Sequence, residues 1–97
     1  MKNQIEKFVA VLNENFGEQY NYTIEMGRVN ARVVMAPVYG GRVINDHRCV
    51  YCFVRIKDGA ILKAAGWKAP AKGVRGYVEY VLAGAQQPEA TTGWLYR

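Results

Sequence analysis

The dipeptide Asp58-Gly59 constrains the fold of this chain more than any other feature. An Asp-Gly pair supplies the backbone angles that a two-residue hairpin turn requires. It stands between two runs that read as strands. Over residues 48–57, Val50, Cys52, Val54 and Ile56 fall on one face, and Tyr51, Phe53, Arg55 and Lys57 on the other. Residues 60–65 return as the next strand. A hairpin at this point commits the sheet to antiparallel pairing.

The remaining elements fit around that hairpin. Tyr20, Tyr22, Ile24 and Met26 alternate with Asn21, Thr23 and Glu25, which predicts a strand over 20–26. Residues 27–30 read as a turn or bulge. Residues 32–35 form a second strand that ends or becomes an edge at Pro37. Gly40-Gly41 marks a loop tip. Before the first strand, Ile5, Phe8, Val9, Leu12 and Phe16 recur at helical spacing. They predict an amphipathic helix over 4–15, with Asn3 and Glu6 as a capping box and Gly17 as its stop. Residues 66–76 read as a loop and 77–83 as a short helix stopped by Gly84. Residues 85–93 are a polar connector, and 94–96 a last short strand. The 97 residues hold no repeat and no long linker, so they make one domain, 1–97. The expected fold is α+β: an antiparallel sheet of four or five strands with an N-terminal amphipathic helix and a second short helix. If the first helix covers the aliphatic face, the aromatic face is either exposed or covered by the second helix, a partner chain or a ligand.

Charge is distributed unevenly. Residues 1–25 net −2. Residues 26–78 carry ten Lys and Arg against Asp46 and Asp58, a net of +8, and 79–97 net −1, which together give the +5 of the whole chain. A cationic middle points to an anionic partner. No run of about 18 apolar residues exists, so no membrane span is expected. The N-terminal residues Lys2, Asn3, Gln4 and Glu6 are unlike a signal peptide, and the expected location is the cytoplasm.

Cys49 and Cys52 form a Cys-x-x-Cys that resembles a metal or redox motif. Positions three apart on a strand face opposite ways, and zinc needs about four ligands where only His47 is near. Two reduced thiols, one in the core, are the simpler reading. His47 is the only histidine. With the eight carboxylates scattered, no catalytic set, metal site or cofactor is expected, and the chain does not read as an enzyme.

The block from Lys63 to Arg75, KAAGWKAPAKGVR, carries the chemistry. It holds Lys63, Lys68, Lys72 and Arg75, one Trp, and no acid. Cations, a large ring and unhindered backbone N–H groups suit an anion with a flat group attached. Trp67 would stack on a base, Lys68, Lys72 and Arg75 would hold phosphate, and Gly73 would allow an unusual turn beside the anion. The alternative is Trp67 as a core anchor among solvated lysines. Arg42 and Arg48 flank the Gly40-Gly41 loop and could complete a pocket. Tyr51 offers a second ring from the aromatic face.

That block, the strand Val50-Tyr-Cys-Phe-Val54, the Asp-Gly turn and the ending Gly93-Trp-Leu-Tyr96 resemble small proteins of tailed bacteriophages over residues 47–97. Within that group the chain is similar to the anti-CBASS sponge proteins of the fourth type. The resemblance implies a homotetramer in the infected bacterial cytoplasm that sequesters cyclic dinucleotide immune signals, such as a cyclic GMP–AMP, without cleaving them. Two charge-assisted hydrogen bonds and two stacked bases supply roughly 5–12 kcal/mol before association costs. Nanomolar capture needs about 12 kcal/mol net. One exposed loop falls short, so cations from more than one segment and more than one chain are expected. The competing readings are a small basic nucleic-acid-binding protein and a protein that binds and blocks a host enzyme.

Overall fold

The computed structural model describes residues 2–96 and has the expected α+β architecture. Helix α1 (Lys2–Phe16) leads into strands β1 (Tyr20–Met26), β2 (Asn30–Tyr39), β3 (Arg42–Val43), β4 (Cys49–Arg55), β5 (Ala60–Ala64) and β6 (Pro70–Tyr77). Helix α2 (Val78–Leu82) follows, and short 3-10 turns lie at Asn45–His47 and Thr92–Tyr96. The strands run antiparallel in the order β1-β2-β4-β5-β6, with the two-residue β3 paired to β2. Ile5, Phe8, Val9 and Leu12 bury the apolar stripe of α1 against the sheet. Val78 and Val81 of α2 join the same cluster, with Val33, Val54, Ile61 and Leu95. Both helices therefore cover one face of the sheet. Asn3 lies inside α1, so it does not cap that helix.

Several elements differ from the sequence reading. The Asp-Gly hairpin has a four-residue loop, 56–59, because Phe53 pairs with Leu62 and Val54 with Ile61. The Gly59 N–H donates to the Arg55 carbonyl (2.7 Å), and the Asp58 carboxylate accepts from the Ala60 N–H (3.1 Å). Asp58 thus closes a wider turn with its side chain. Strand β2 runs through Pro37, where its pairing with β4 has already ended at Met35 opposite Cys49. No donor to β4 is lost there. The expected basic loop shrinks to residues 65–69, because Pro70–Tyr77 forms the edge strand β6. An edge needs only one paired side, so its Gly-rich, cationic sequence suffices. The C-terminal strand is instead a 3-10 turn. Trp94 and Leu95 are both buried, and a strand would send neighbours to opposite faces.

A β-bulge in β4 has the largest consequence. Val33 pairs with Cys52 and Val34 with Val50, which leaves Tyr51 as the extra residue. Tyr51 and Cys52 both enter the helix-side core. The bulge also sets Cys49 and Cys52 opposite Met35 and Val33, two residues of one face, contrary to the strict alternation expected. Both thiols are free, Cys49 exposed and Cys52 buried, and burial pushes the Cys52 thiol well up.

Tyr51 is a core residue rather than a ligand contact. Its hydroxyl donates to the Glu89 carbonyl (2.6 Å) and accepts from Trp94 Nε1 (2.7 Å). Its ring packs edge-on against Tyr22 at 5.3 Å and 80°. The Tyr22 hydroxyl donates to the Ala90 carbonyl. The buried rings thus tether the 89–90 connector by their polar tips. Burial pushes both hydroxyls well above the usual tyrosine range, so they stay neutral donors.

One side-chain amide clasps each open edge of the sheet. On β1, Asn13 donates from Nδ2 to the Tyr22 carbonyl (2.9 Å) and accepts from the Tyr22 N–H (2.8 Å). On β6, Gln86 donates from Nε2 to the Arg75 carbonyl (3.0 Å) and accepts from the Tyr77 N–H (3.3 Å). A Cβ on Gly76, between those two, would lie within 2.2 Å of the Gln86 amide. Each amide occupies the groups that an added strand would use.

Candidate anion-binding face

The face opposite the helices is built by register. Asn30 and Arg32 of β2 stand opposite Arg55 and Phe53 of β4. Phe53 stands opposite Leu62, and Leu62 opposite Val74 of β6. Val34, Phe53 and Leu62 are buried although no helix lies over them. The 65–69 segment, which carries Trp67, lies beside Arg32 on this face, and its Lys68 shares a depression with Phe53. The segment is closed by the Ala69 carbonyl, which accepts from the N–H groups of Ala65 (3.0 Å) and Gly66 (3.3 Å). It is pinned to the sheet by Arg32, whose Nη1 donates to the Trp67 carbonyl (2.9 Å).

The Trp67 ring is engaged by two guanidiniums, Arg32 at 5.0 Å and Arg48 at 5.3 Å from the ring centroid. Each such contact is worth about 0.5–1 kcal/mol at an exposed site. Trp67 is 37% exposed and lies outside the core cluster, so it does not anchor the core. Arg32 is also held by Glu25 (2.7 Å). Arg48 is exposed and has no acidic partner among the described residues.

Two depressions lie side by side on this face. One, of about 410 Å³, is lined by Val29, Asn30, Arg55 and Leu62 and by residues 70–74 of β6. The other, of about 260 Å³, is lined by residues that include Glu25, Val29, Asn30, Arg32, Phe53 and Lys68. Val29 and Asn30 form the ridge common to both. The Asn30 Oδ1 is buried without a hydrogen-bond partner among the described residues. Such an orphan costs about 1–3 kcal/mol and calls for an explanation. Gly73, at φ 97°, lies in the wall of the larger depression with open space where a Cβ would point. A larger hollow, about 550 Å³, lies over residues 13–19 at the end of α1. Glu14 and Glu18 line it without a cation, which is the wrong chemistry for an anion.

The structure therefore brings Arg48 to Trp67, Lys68 to the smaller depression, and Lys72 and Gly73 to the larger one. It does not bring in three others. Arg42 pairs with Tyr39 at the far end of β2, nine residues from Asn30, or roughly 30 Å at about 3.3 Å per residue. Arg75 lines neither depression, and its Nε is buried without a partner among the described residues. Tyr51 is in the core. The sequence reading missed Asn30, Arg32 and Arg55 as site residues. Their signal was present in the period-two alternation that sets them on the face of Phe53. Arg55 is held by Asp58 through two close contacts (3.0 and 2.8 Å). That pairing, with the Ala60 N–H, draws the Asp58 carboxyl down to about 2.

Fold and face define a small α+β protein whose antiparallel sheet is covered by helices on one side and carries a cationic, aromatic-edged surface on the other. Among the described residues no helix is long and apolar enough to cross a membrane. The chain belongs to DUF7717, a family of unknown function, whose profile matches residues 1–96. No curated protein and no solved structure matches it.

Proposed function

We propose that this protein is a non-catalytic binder that captures a cyclic dinucleotide immune signal on the open face of its sheet and so blunts CBASS-type defence during phage infection. The observation that carries the reading is the pair of adjoining depressions, each supplied with a lysine that has no acidic partner among the described residues. Nucleotide phosphates suit those lysines, and the apolar walls of Val29, Leu62, Phe53 and Val74 suit base faces. Trp67 with its two arginines closes the Arg32 side of the site, with Arg48 available to an anion. The acids on this face support binding over catalysis: Glu25 and Asp58 are each held by an arginine, which leaves neither as a general base. The phage resemblance supplies the finer identity of ligand and pathway.

The depressions are shallow, and tight capture requires closure. A homotetramer closes them if a second copy covers the open face. Native mass spectrometry with cyclic GMP–AMP, a linear dinucleotide and a short single strand tests the reading. The expected result is an oligomer that holds the cyclic dinucleotide and releases it intact on heating. Binding of the single strand alone would replace it with a nucleic-acid-binding function, and no bound nucleotide would overturn it.

A further inference from the structure

Resting on the nucleotide reading, we infer that the open face is a two-lobed site whose ligand straddles the Val29–Asn30 ridge, with one phosphate in each lobe. Each depression pairs one lysine with one arginine, and the smaller also carries Glu25 in its wall. The smaller holds Lys68 beside Arg32, which Glu25 fixes. The larger holds Lys72 beside Arg55, which Asp58 fixes. In both, a restrained arginine adjoins a lysine that no acid neutralises. Between them stands Val29, 65% exposed, an unusual degree for a β-branched apolar side chain with a fixed backbone.

The ridge is rigid. The Val29 carbonyl accepts from the Ile56 N–H (2.9 Å), which ties the ridge to the β4–β5 loop, and the Asn30 carbonyl accepts from the Gly27 N–H (3.0 Å). A ligand with one phosphate and one base fills a single lobe and gains nothing from the other. A ligand with two of each, joined in a ring, sets its bases on either side of Val29 and brings its polar edges to Asn30. The orphaned side-chain Oδ1 of Asn30 then has a use: rotation of the amide turns it into the site as an acceptor for a base N–H. The preferred class is thus a compact molecule with two phosphates and two bases, over a mononucleotide or an extended strand.

Isothermal titration of the full chain with cyclic GMP–AMP and with AMP tests this. Lys68→Ala and Lys72→Ala are each expected to weaken the cyclic dinucleotide by roughly tenfold or more, the usual loss for a charge-assisted hydrogen bond. At most one of them should affect AMP. Val29→Glu sits on the surface, leaves the melting temperature unchanged, and should weaken the dinucleotide far more than AMP. If wild type binds cyclic GMP–AMP but Val29→Glu is silent, or both ligands respond alike to all three substitutions, the two-lobed arrangement is wrong and the nucleotide reading stands. If wild type binds neither, both readings fall.

Discussion

The two faces of one sheet solve opposite problems. On the helix side the buried tyrosine hydroxyls have partners: Tyr51 meets Glu89 and Trp94, and Tyr22 meets Ala90. On the open side the Asn30 side-chain Oδ1 is buried without a hydrogen-bond partner among the described residues, Arg48 has no acidic partner among them, and two valines, Val29 and Val74, face solvent. The first face satisfies its chemistry internally and thereby fixes the fold. The second leaves polar chemistry without an internal partner, the feature on which the proposed binding site rests. Its two acids are used to restrain arginines rather than to neutralise the lysines.

That contrast breaks most visibly if the wrong aromatic proves to be structural. Tyr51→Ala should lose about 3–5 kcal/mol, the usual range for truncating a buried ring. Trp67→Ala should lose less, about 1–2 kcal/mol, because its two guanidinium contacts and a partly exposed surface go rather than a buried core ring. Urea denaturation of both variants decides the matter, and equal losses would place Trp67 in the core. Tyr51→Phe is the finer probe. It strands the Trp94 N–H, and should cost about 1–3 kcal/mol with no effect on nucleotide affinity.

Asn30 sharpens the comparison with the opposite sign. Replacing it with Val removes an orphaned acceptor and fits a strand position better. The expected outcome is a gain of about 1 kcal/mol in stability, on the order of the lost desolvation penalty, together with weaker ligand binding. Thermal melts and titration on the same sample read both. A variant that is less stable would mean that the amide holds the ridge in place, and the asymmetry between the faces would shrink.

How far these faces could be read in the sequence depended on where the chain keeps its alternation. The α1 stripe, the period-two run of β1 and the Asp-Gly turn announced an α+β sheet directly, because burial on one face leaves a periodic trace. The bulge at Tyr51 leaves none: one extra residue moves a ring from the expected open face into the core, and only the register with β2 reveals it. Strand β6 was hidden for a related reason. As an edge that pairs on one side and is clasped by Gln86 on the other, it can be built from Pro70-Ala-Lys-Gly-Val-Arg-Gly, which looks like a loop. The cations of the site were half legible. Lys68, Lys72 and Arg48 stood out by composition. Arg32 and Arg55 looked like ordinary solvent-side strand residues until the pairing of β2 with β4 placed them beside the depressions.

The smallest expected effect is the most specific to the open face. Asp58 is drawn to about 2 from the ordinary 3.8, first by its bonds to Arg55 and then by the Ala60 N–H. The folded chain therefore holds the carboxylate more tightly in its charged form than the unfolded chain does. Its contribution to stability is complete above about pH 4 and disappears as pH falls towards 2. Asp58→Asn keeps an acceptor for the Ala60 N–H and removes the charge. Its melting temperature should lie slightly below wild type at pH 7, and the two curves should converge between pH 4 and 2. The same substitution releases the Arg55 guanidinium into the larger depression. Affinity for the cyclic dinucleotide should therefore rise at pH 7 while stability falls. If both fall together, Asp58 positions Arg55 for the ligand rather than withholding it, and the restrained arginines belong to the binding chemistry as much as the free lysines do.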